Sequence, residues 1–174
     1  MTAYLDNSAT TPVCSEAVEA MKTAVTELWG NPSSLHQKGI EADEMLENAR
    51  SNVARRLFCR DDEVYFTSGG TESNNLAVQG AAHAMRRRGR RIVTTSVEHP
   101  SIDETVKHLE NEGFEVIRLG VDKNGRISER ELFEAVTPDT ILVSIMAVNN
   151  ETGFANDVKR LYRLVKRKNP KTIV

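Results

Sequence analysis

Cysteine, aromatic residues and long apolar runs are all scarce in this 174-residue chain, and each shortage closes off a class of protein. Two cysteines, Cys14 and Cys59, make neither a disulfide framework nor a metal cluster, and no neighbouring feature marks either as a nucleophile. Aromatic residues are 5% of the chain and are not interleaved with its basic runs, so those runs lack the pattern of a nucleic-acid surface. A net charge of −2 gives no electrostatic pull toward nucleic acid or an anionic membrane. No apolar stretch approaches the roughly 20 residues needed to span a bilayer, and the opening residues lack the basic and apolar regions of a secretory signal. These shortages lead us to expect a chain of the reducing cytoplasm, with no metal, nucleic-acid or membrane partner.

What is present is an ordinary globular composition, 39% hydrophobic and 28% charged, on a chain long enough to bury a core. Ser15 can cap a helix running to about Leu28, with Ala17, Val18, Met21, Ala24, Val25 and Leu28 on one stripe. Gly30-Asn31-Pro32-Ser33-Ser34 breaks that pattern. A second helix is predicted over 37–58 from the spacing of Leu46, Ala49, Val53 and Leu57. Strands and helices then alternate. Strands are predicted at 64–67, 92–95, 115–119 and 141–148, and helices at 72–88, 101–112, 128–136 and 157–168. An Asn124-Gly125 turn follows the third strand. Gly89 can end the helix before it, and Thr172-Ile173-Val174 reads as a strand just beginning. The alternation predicts an α/β fold, a mainly parallel sheet flanked by helices. A chain ending in a core strand is expected to be an incomplete domain.

Ligands of open α/β sheets bind beyond the carboxyl ends of the strands, and three polar segments fall there. Thr67-Ser68-Gly69-Gly70-Thr71-Glu72 follows the first predicted strand. Its glycines would let backbone N–H groups approach a phosphate at a helix N-terminus, with the Ser68 and Thr71 hydroxyls adding donors. The alternative is a plain tight turn with a capping threonine. It matches neither the P-loop nor the dinucleotide fingerprint. Ser96-Val97-Glu98-His99-Pro100 follows the second strand. His99 is there either a surface or capping residue, or an imidazole that stacks on a flat ring and moves a proton. Asn149-Asn150 ends the long apolar strand, as turn chemistry or as an amide for a ring oxygen or a substrate carboxylate. The runs 86–91 and 166–168 close helices, where cations suit the dipole.

Taken together, Tyr4-Leu5-Asp6-Asn7-Ser8-Ala9-Thr10-Thr11-Pro12, Gly30-Asn31-Pro32-Ser33-Ser34-Leu35-His36, the 68–75 loop, Glu98-His99-Pro100 and Val148-Asn149-Asn150-Glu151-Thr152-Gly153 stand in the order seen in cysteine desulfurases. The chain resembles the amino-terminal part of the NifS/IscS-like branch of the class V aminotransferase superfamily. The resemblance implies part of the large domain of a fold-type-I pyridoxal 5′-phosphate enzyme, with 1–14 a separate N-terminal segment and 15–174 an incomplete cofactor-binding domain. It implies conversion of L-cysteine to L-alanine with sulfur passed to an acceptor protein, as in iron–sulfur cluster assembly, usually by a homodimer.

By the same resemblance Gly70 and Thr71 would hold the cofactor phosphate, His99 would stack on the pyridine ring and assist proton transfer, and Asn150 would bond the phenolic oxygen. Many relatives carry alanine at the position of Gly70, and aspartate at that of Cys14. The family's pyridinium-pairing aspartate, its Schiff-base lysine and its sulfur-accepting cysteine have no counterpart among these residues. The chain alone is therefore expected to be inactive, without covalent cofactor, and to need a carboxy-terminal half. The alternatives are a related selenocysteine lyase or cysteine sulfinate desulfinase, or a non-catalytic phosphate-binding or assembly module.

Overall fold

The computed structural model describes residues 3–174, which divide after Phe66 into two compact units. Met1 and Thr2, part of the expected 1–14 segment, lie outside the described residues.

In the first unit α1 spans Ser15–Thr26 and α2 spans Gln37–Leu57. Ser15 is the first helical residue rather than the cap; Cys14 holds the cap position and makes no side-chain capping bond. No residue of α1 is buried, and Val18, Met21 and Val25 on its apolar stripe are exposed. Periodicity tells which face is suited to burial and does not supply a covering partner. At the start of α2, His36 Nδ1 accepts the Gly39 N–H at 3.2 Å. Gly39 is fixed by close approach, because a Cβ there would lie 2.2 Å from the Ser34 carbonyl oxygen. The buried face of α2 is Gly39, Ala42 and Ala54, so the expected stripe is rotated: Val53 and Leu57 are exposed. The small alanines mark the side where the chain returns. Arg50 there donates to the Val64 carbonyl and lies 5.2 Å from the Phe66 ring centroid.

The second unit holds three parallel strands, β1 (Arg91–Thr95), β2 (Glu115–Leu119) and β3 (Thr140–Val143), in the order β2-β1-β3. Ile92 on β1 packs with α3 (Gly70–Met85) and α4 (Pro100–Asn111) through Val78, Ala82, Val106 and Leu109. Its neighbour Val93 packs with α5 (Glu129–Ala135) and α6 (Val158–Lys168) through Leu132, Leu161 and Val165. Successive strand residues point to opposite faces, so a strand covered on both sides reads as continuous apolar sequence. The α/β architecture expected from the sequence is therefore the one observed.

Several details differ. Val64–Thr67 is not a strand, since among the described residues it joins no ladder; β-rich composition specifies an extended backbone, but a strand needs a neighbour. The strand predicted over 141–148 stops at Val143. Ser144 N still bonds Val93 O at 2.9 Å, but β1 turns away after Thr95 and the Met146 N–H goes to the Glu98 carboxylate. Residues 172–174, expected to begin a strand, form an isolated bridge rather than a strand. Ile173 pairs in parallel with Leu142, and the buried Thr172 hydroxyl donates to the Thr140 carbonyl at 2.8 Å. The Asn124-Gly125 turn is present, with Gly125 at φ +82°. The basic runs serve the fold: Arg91 makes a two-pronged bond to Glu115, and Lys166 donates to the Thr172 carbonyl. No described helix is long and apolar enough to cross a membrane.

Gly89 does not end a helix; α3 stops at Met85, and Gly89 has no positive φ. It is needed because a Cβ there would lie 2.2 Å from the Asp139 carbonyl oxygen, which also receives the Arg91 N–H. Gly89→Ala is expected to push the start of β1 from the turn before β3 and cost about 1–3 kcal/mol, read as a lower midpoint in urea unfolding.

Candidate active site

Gly69 and Gly70 lead into α3, and no side chain caps this helix. The first main-chain bond is Ser73 N to Gly69 O, at 3.1 Å. The N–H groups of Gly70, Thr71 and Glu72 thus belong to the donors that a helix start leaves over, at the positive end of its dipole. A Cβ on Gly69 or Gly70 would meet nothing within 4 Å, so the approach is open. Ser68 does not contribute as expected. Its N–H and hydroxyl both donate to Glu72 Oε2, each at 2.6 Å, and these bonds hold the Glu72 carboxyl below the usual carboxylate range.

His99 follows β1 and is the N-cap of α4, with Pro100 as the first helical residue. Its Nδ1 accepts the Ser101 N–H at 3.1 Å and lies 2.8 Å from Ser101 Oγ. Asn74 on α3 donates from Nδ2 to the same Oγ at 2.8 Å. One turn on, Thr105 Oγ1 lies 2.8 Å from Asn75 Oδ1 and 2.7 Å from the Ser101 carbonyl. These bonds sew α3 to α4 beneath an open groove of ≈580 Å³, lined among others by Thr71, Asn75, Gln79, His99, Glu104 and His108.

The two asparagines divide their work. Asn149 Oδ1 accepts the N–H groups of Glu151 and Thr152, at 3.0 and 2.8 Å, and Nδ2 donates to the Val97 carbonyl at 3.2 Å. Its amide is committed to the turn, while Asn150 stands exposed beside it. The structure therefore brings Thr71 and His99 to one groove; Gly70, the first residue of α3, directly precedes Thr71 and is not among the lining residues. Asn150 is not among the groove's lining residues, but its loop is tied to the one that carries His99.

Glu98 makes the second tie. Oε1 accepts the Thr95 hydroxyl and the Met146 N–H, both at 2.9 Å. Burial pushes its carboxyl above the ordinary value, against the opposing pull of those two bonds. Sequence reasoning quoted Glu98 and Asn74 within motifs but gave neither a role. An acid directly after a buried strand was the available signal, because such a group needs donors. Ser101 carried no signal beyond its place in the first turn of a helix.

The sequence profile of the Aminotransferase class-V family matches residues 3–174. The chain is 51% identical over 162 residues to a NifS/IcsS protein homolog of Lactobacillus delbrueckii subsp. bulgaricus, covering 93% of this chain and 42% of the relative. It is 47% identical to the cysteine desulfurase IscS of Methanosarcina thermophila, covering 94% of this chain and 40% of that protein. Among solved structures, a NifS-like protein superposes with a TM-score of 0.94 at 43% identity, over 99% of this chain and 47% of the other. SspA in complex with cysteine superposes at 0.87 with 34% identity, over 95% of this chain and 48% of the other. The chain thus spans less than half the length of these relatives.

Three outcomes follow for the site's framework. Glu98→Ala should cost about 1–3 kcal/mol by stranding the Met146 N–H and Thr95 hydroxyl, whereas Glu98→Gln keeps an acceptor and should not. A carboxyl raised in the fold favours the folded state at low pH and loses that contribution as pH rises through its folded value. Wild-type stability should therefore fall relative to Glu98→Gln as pH rises above the ordinary carboxylate range, a difference chemical denaturation at each pH would read. Gly70→Ala should be tolerated and raise stability by about 0.4–1 kcal/mol, since the methyl meets open space and the chain loses unfolded-state freedom; thermal unfolding would check it.

Proposed function

The chain belongs to the class V aminotransferase family, and from that membership we propose that it supplies the phosphate- and ring-binding part of a pyridoxal 5′-phosphate-dependent cysteine desulfurase. The observation that carries the reading is the open, uncapped N-terminus of α3 sharing one groove with His99. The residues present fit the phosphate end of this cofactor: unused N–H donors, no Cβ in the way on Gly69 or Gly70, and a hydroxyl on the exposed Thr71. Gly70 and Thr71 would hold the phosphate through N–H groups, and Thr71 through its hydroxyl as well. His99 would stack on the flat ring and handle a proton at its edge, and Asn150 would meet the ring oxygen. Residues 15–174 are then part of the family's large cofactor-binding domain, with 1–14 a separate segment.

When bound, pyridoxal phosphate supplies an electron-withdrawing ring through which bonds at the amino acid's Cα and Cβ can be broken. The chain's own contribution is positional. The α3 dipole and its N–H groups anchor a dianion, and the α4 cap fixes the imidazole ring beside it. The Asn149–Val97 and Glu98–Met146 bonds keep the Asn150 loop against the His99 loop. L-Cysteine as the substrate is supported by relatives named as cysteine desulfurases and by the likeness to SspA in complex with cysteine. No lysine lines the groove among the described residues, so cysteine turnover would need a lysine from elsewhere.

Pyridoxine 5′-phosphate, which has no aldehyde to react with surface lysines, is the probe for this reading. We expect saturable binding by calorimetry that Thr71→Val weakens about tenfold, the effect of losing a hydroxyl bond to a charged group. Equal affinity of wild type and variant, or no binding, would sink the assignment. The same chain with pyridoxal phosphate and L-cysteine should release no alanine; release above background would mean that a lysine within it completes the site.

A further inference from the structure

Which nitrogen of His99 carries its proton is decided by the groups around it. A backbone N–H can only donate, so the Ser101 N–H at 3.1 Å requires a lone pair on Nδ1. Ser101 Oγ lies 2.8 Å from that same nitrogen, and with a lone pair there the hydroxyl must donate its single proton to it. Its remaining lone pairs face Asn74, whose Nδ2 donates at 2.8 Å. The Asn74 amide is thereby oriented too, since its oxygen in that place would face a hydroxyl with no proton left to give. Ser101 is buried, so water competes poorly for these bonds. Among the described residues no hydrogen bond engages His99 Nε2, and the exposed ring lines the groove with Thr71.

We propose that Ser101 and Asn74 are positioning residues that hold His99 as the tautomer protonated on Nε2, so that it presents a hydrogen-bond donor to the groove. This rests on the reading of His99 as a ring-facing residue and adds the direction of its hydrogen bond. A neutral imidazole committed at Nδ1 has no lone pair to offer at Nε2; it enters as a donor to an electron-rich atom, so the proton it handles at the ring is one it gives. Neutral histidine held as a donor beside a helix N-terminus is a known catalytic arrangement in other folds. Here the group that selects the tautomer bridges two helices. Asn74 belongs to α3, whose start presents Gly70 and Thr71, and Ser101 belongs to α4, which His99 caps. Displacing α3 would therefore disturb the phosphate cradle and the imidazole proton together.

The test is the tautomer of His99 in the chain labelled with ¹⁵N-histidine, read from two-bond ¹H–¹⁵N correlations at a pH where imidazoles are neutral, with no cofactor present. Wild type should show the Nε2–H pattern. Ser101→Ala should lower the ratio of Nε2–H to Nδ1–H about fivefold, the effect of one net hydrogen bond, and Ser101→Thr should restore it. Asn74→Asp should lower it as well, because a carboxylate draws the Ser101 proton away from Nδ1. A dispersed amide spectrum identifies the folded variants, and Asn74→Asp carries the comparison if Ser101→Ala does not fold. An Nδ1–H tautomer in wild type, or ratios that neither variant changes, would overturn the proposal. Failure of pyridoxine 5′-phosphate to bind would defeat the functional reading and leave the tautomer result standing, so the two can fail separately.

Discussion

β1 is enclosed on every side, and the candidate site depends on that enclosure. It lies between β2 and β3, and its Ile92 and Val93 are fully buried against different helix pairs. Full burial of each such side chain is worth about 1.5–3 kcal/mol. It also fixes which way every residue of the strand points. Thr95, the last residue of β1, donates to Glu98, and the chain then turns into the His99 cap of α4. The imidazole follows a strand whose central side chains are buried on both faces.

The polar groups around the groove are mostly committed to one another. Ser68 is taken up by Glu72, Asn149 by its own turn and Val97, and Ser101 by His99 and Asn74. These bonds order the loops at the carboxyl ends of the strands and tie α3 to α4. The groups not used this way gather at the groove: Thr71, the uncapped start of α3, and the far nitrogen of His99. The groups proposed to bind a ligand are those that the framework leaves over.

The two helix starts illustrate the point. α4 is closed by its own His99, with Pro100 in a position where a missing N–H does no harm. α3 begins with two glycines and no cap, which leaves its donors available. Both starts are legible as motifs, yet only the tertiary structure separates a closed helix end from an open one. Sequence reasoning assigned Ser68 to the open end, because hydroxyls near a helix start suit an anion. Glu72, four residues on, captured it instead.

The sequence alone determined the element types and the layering. Apolar period and strand–helix alternation are local properties, and they carried the parallel sheet, the helices on both faces and the 115–119 strand. The ordered motifs likewise carried the family. Tertiary structure decided whatever depends on a neighbour. Val64–Thr67 is extended but unpaired, β3 ends where β1 turns away, the buried side of α2 follows its alanines, and Gly89 answers to Asp139 rather than to a helix end. The roles of Glu98, Asn74 and Ser101 fall in the same class, since their bonding partners lie up to 48 residues away in the chain. Periodicity constrains each segment by itself, whereas a hydrogen bond between distant segments exists only once the fold has brought them together.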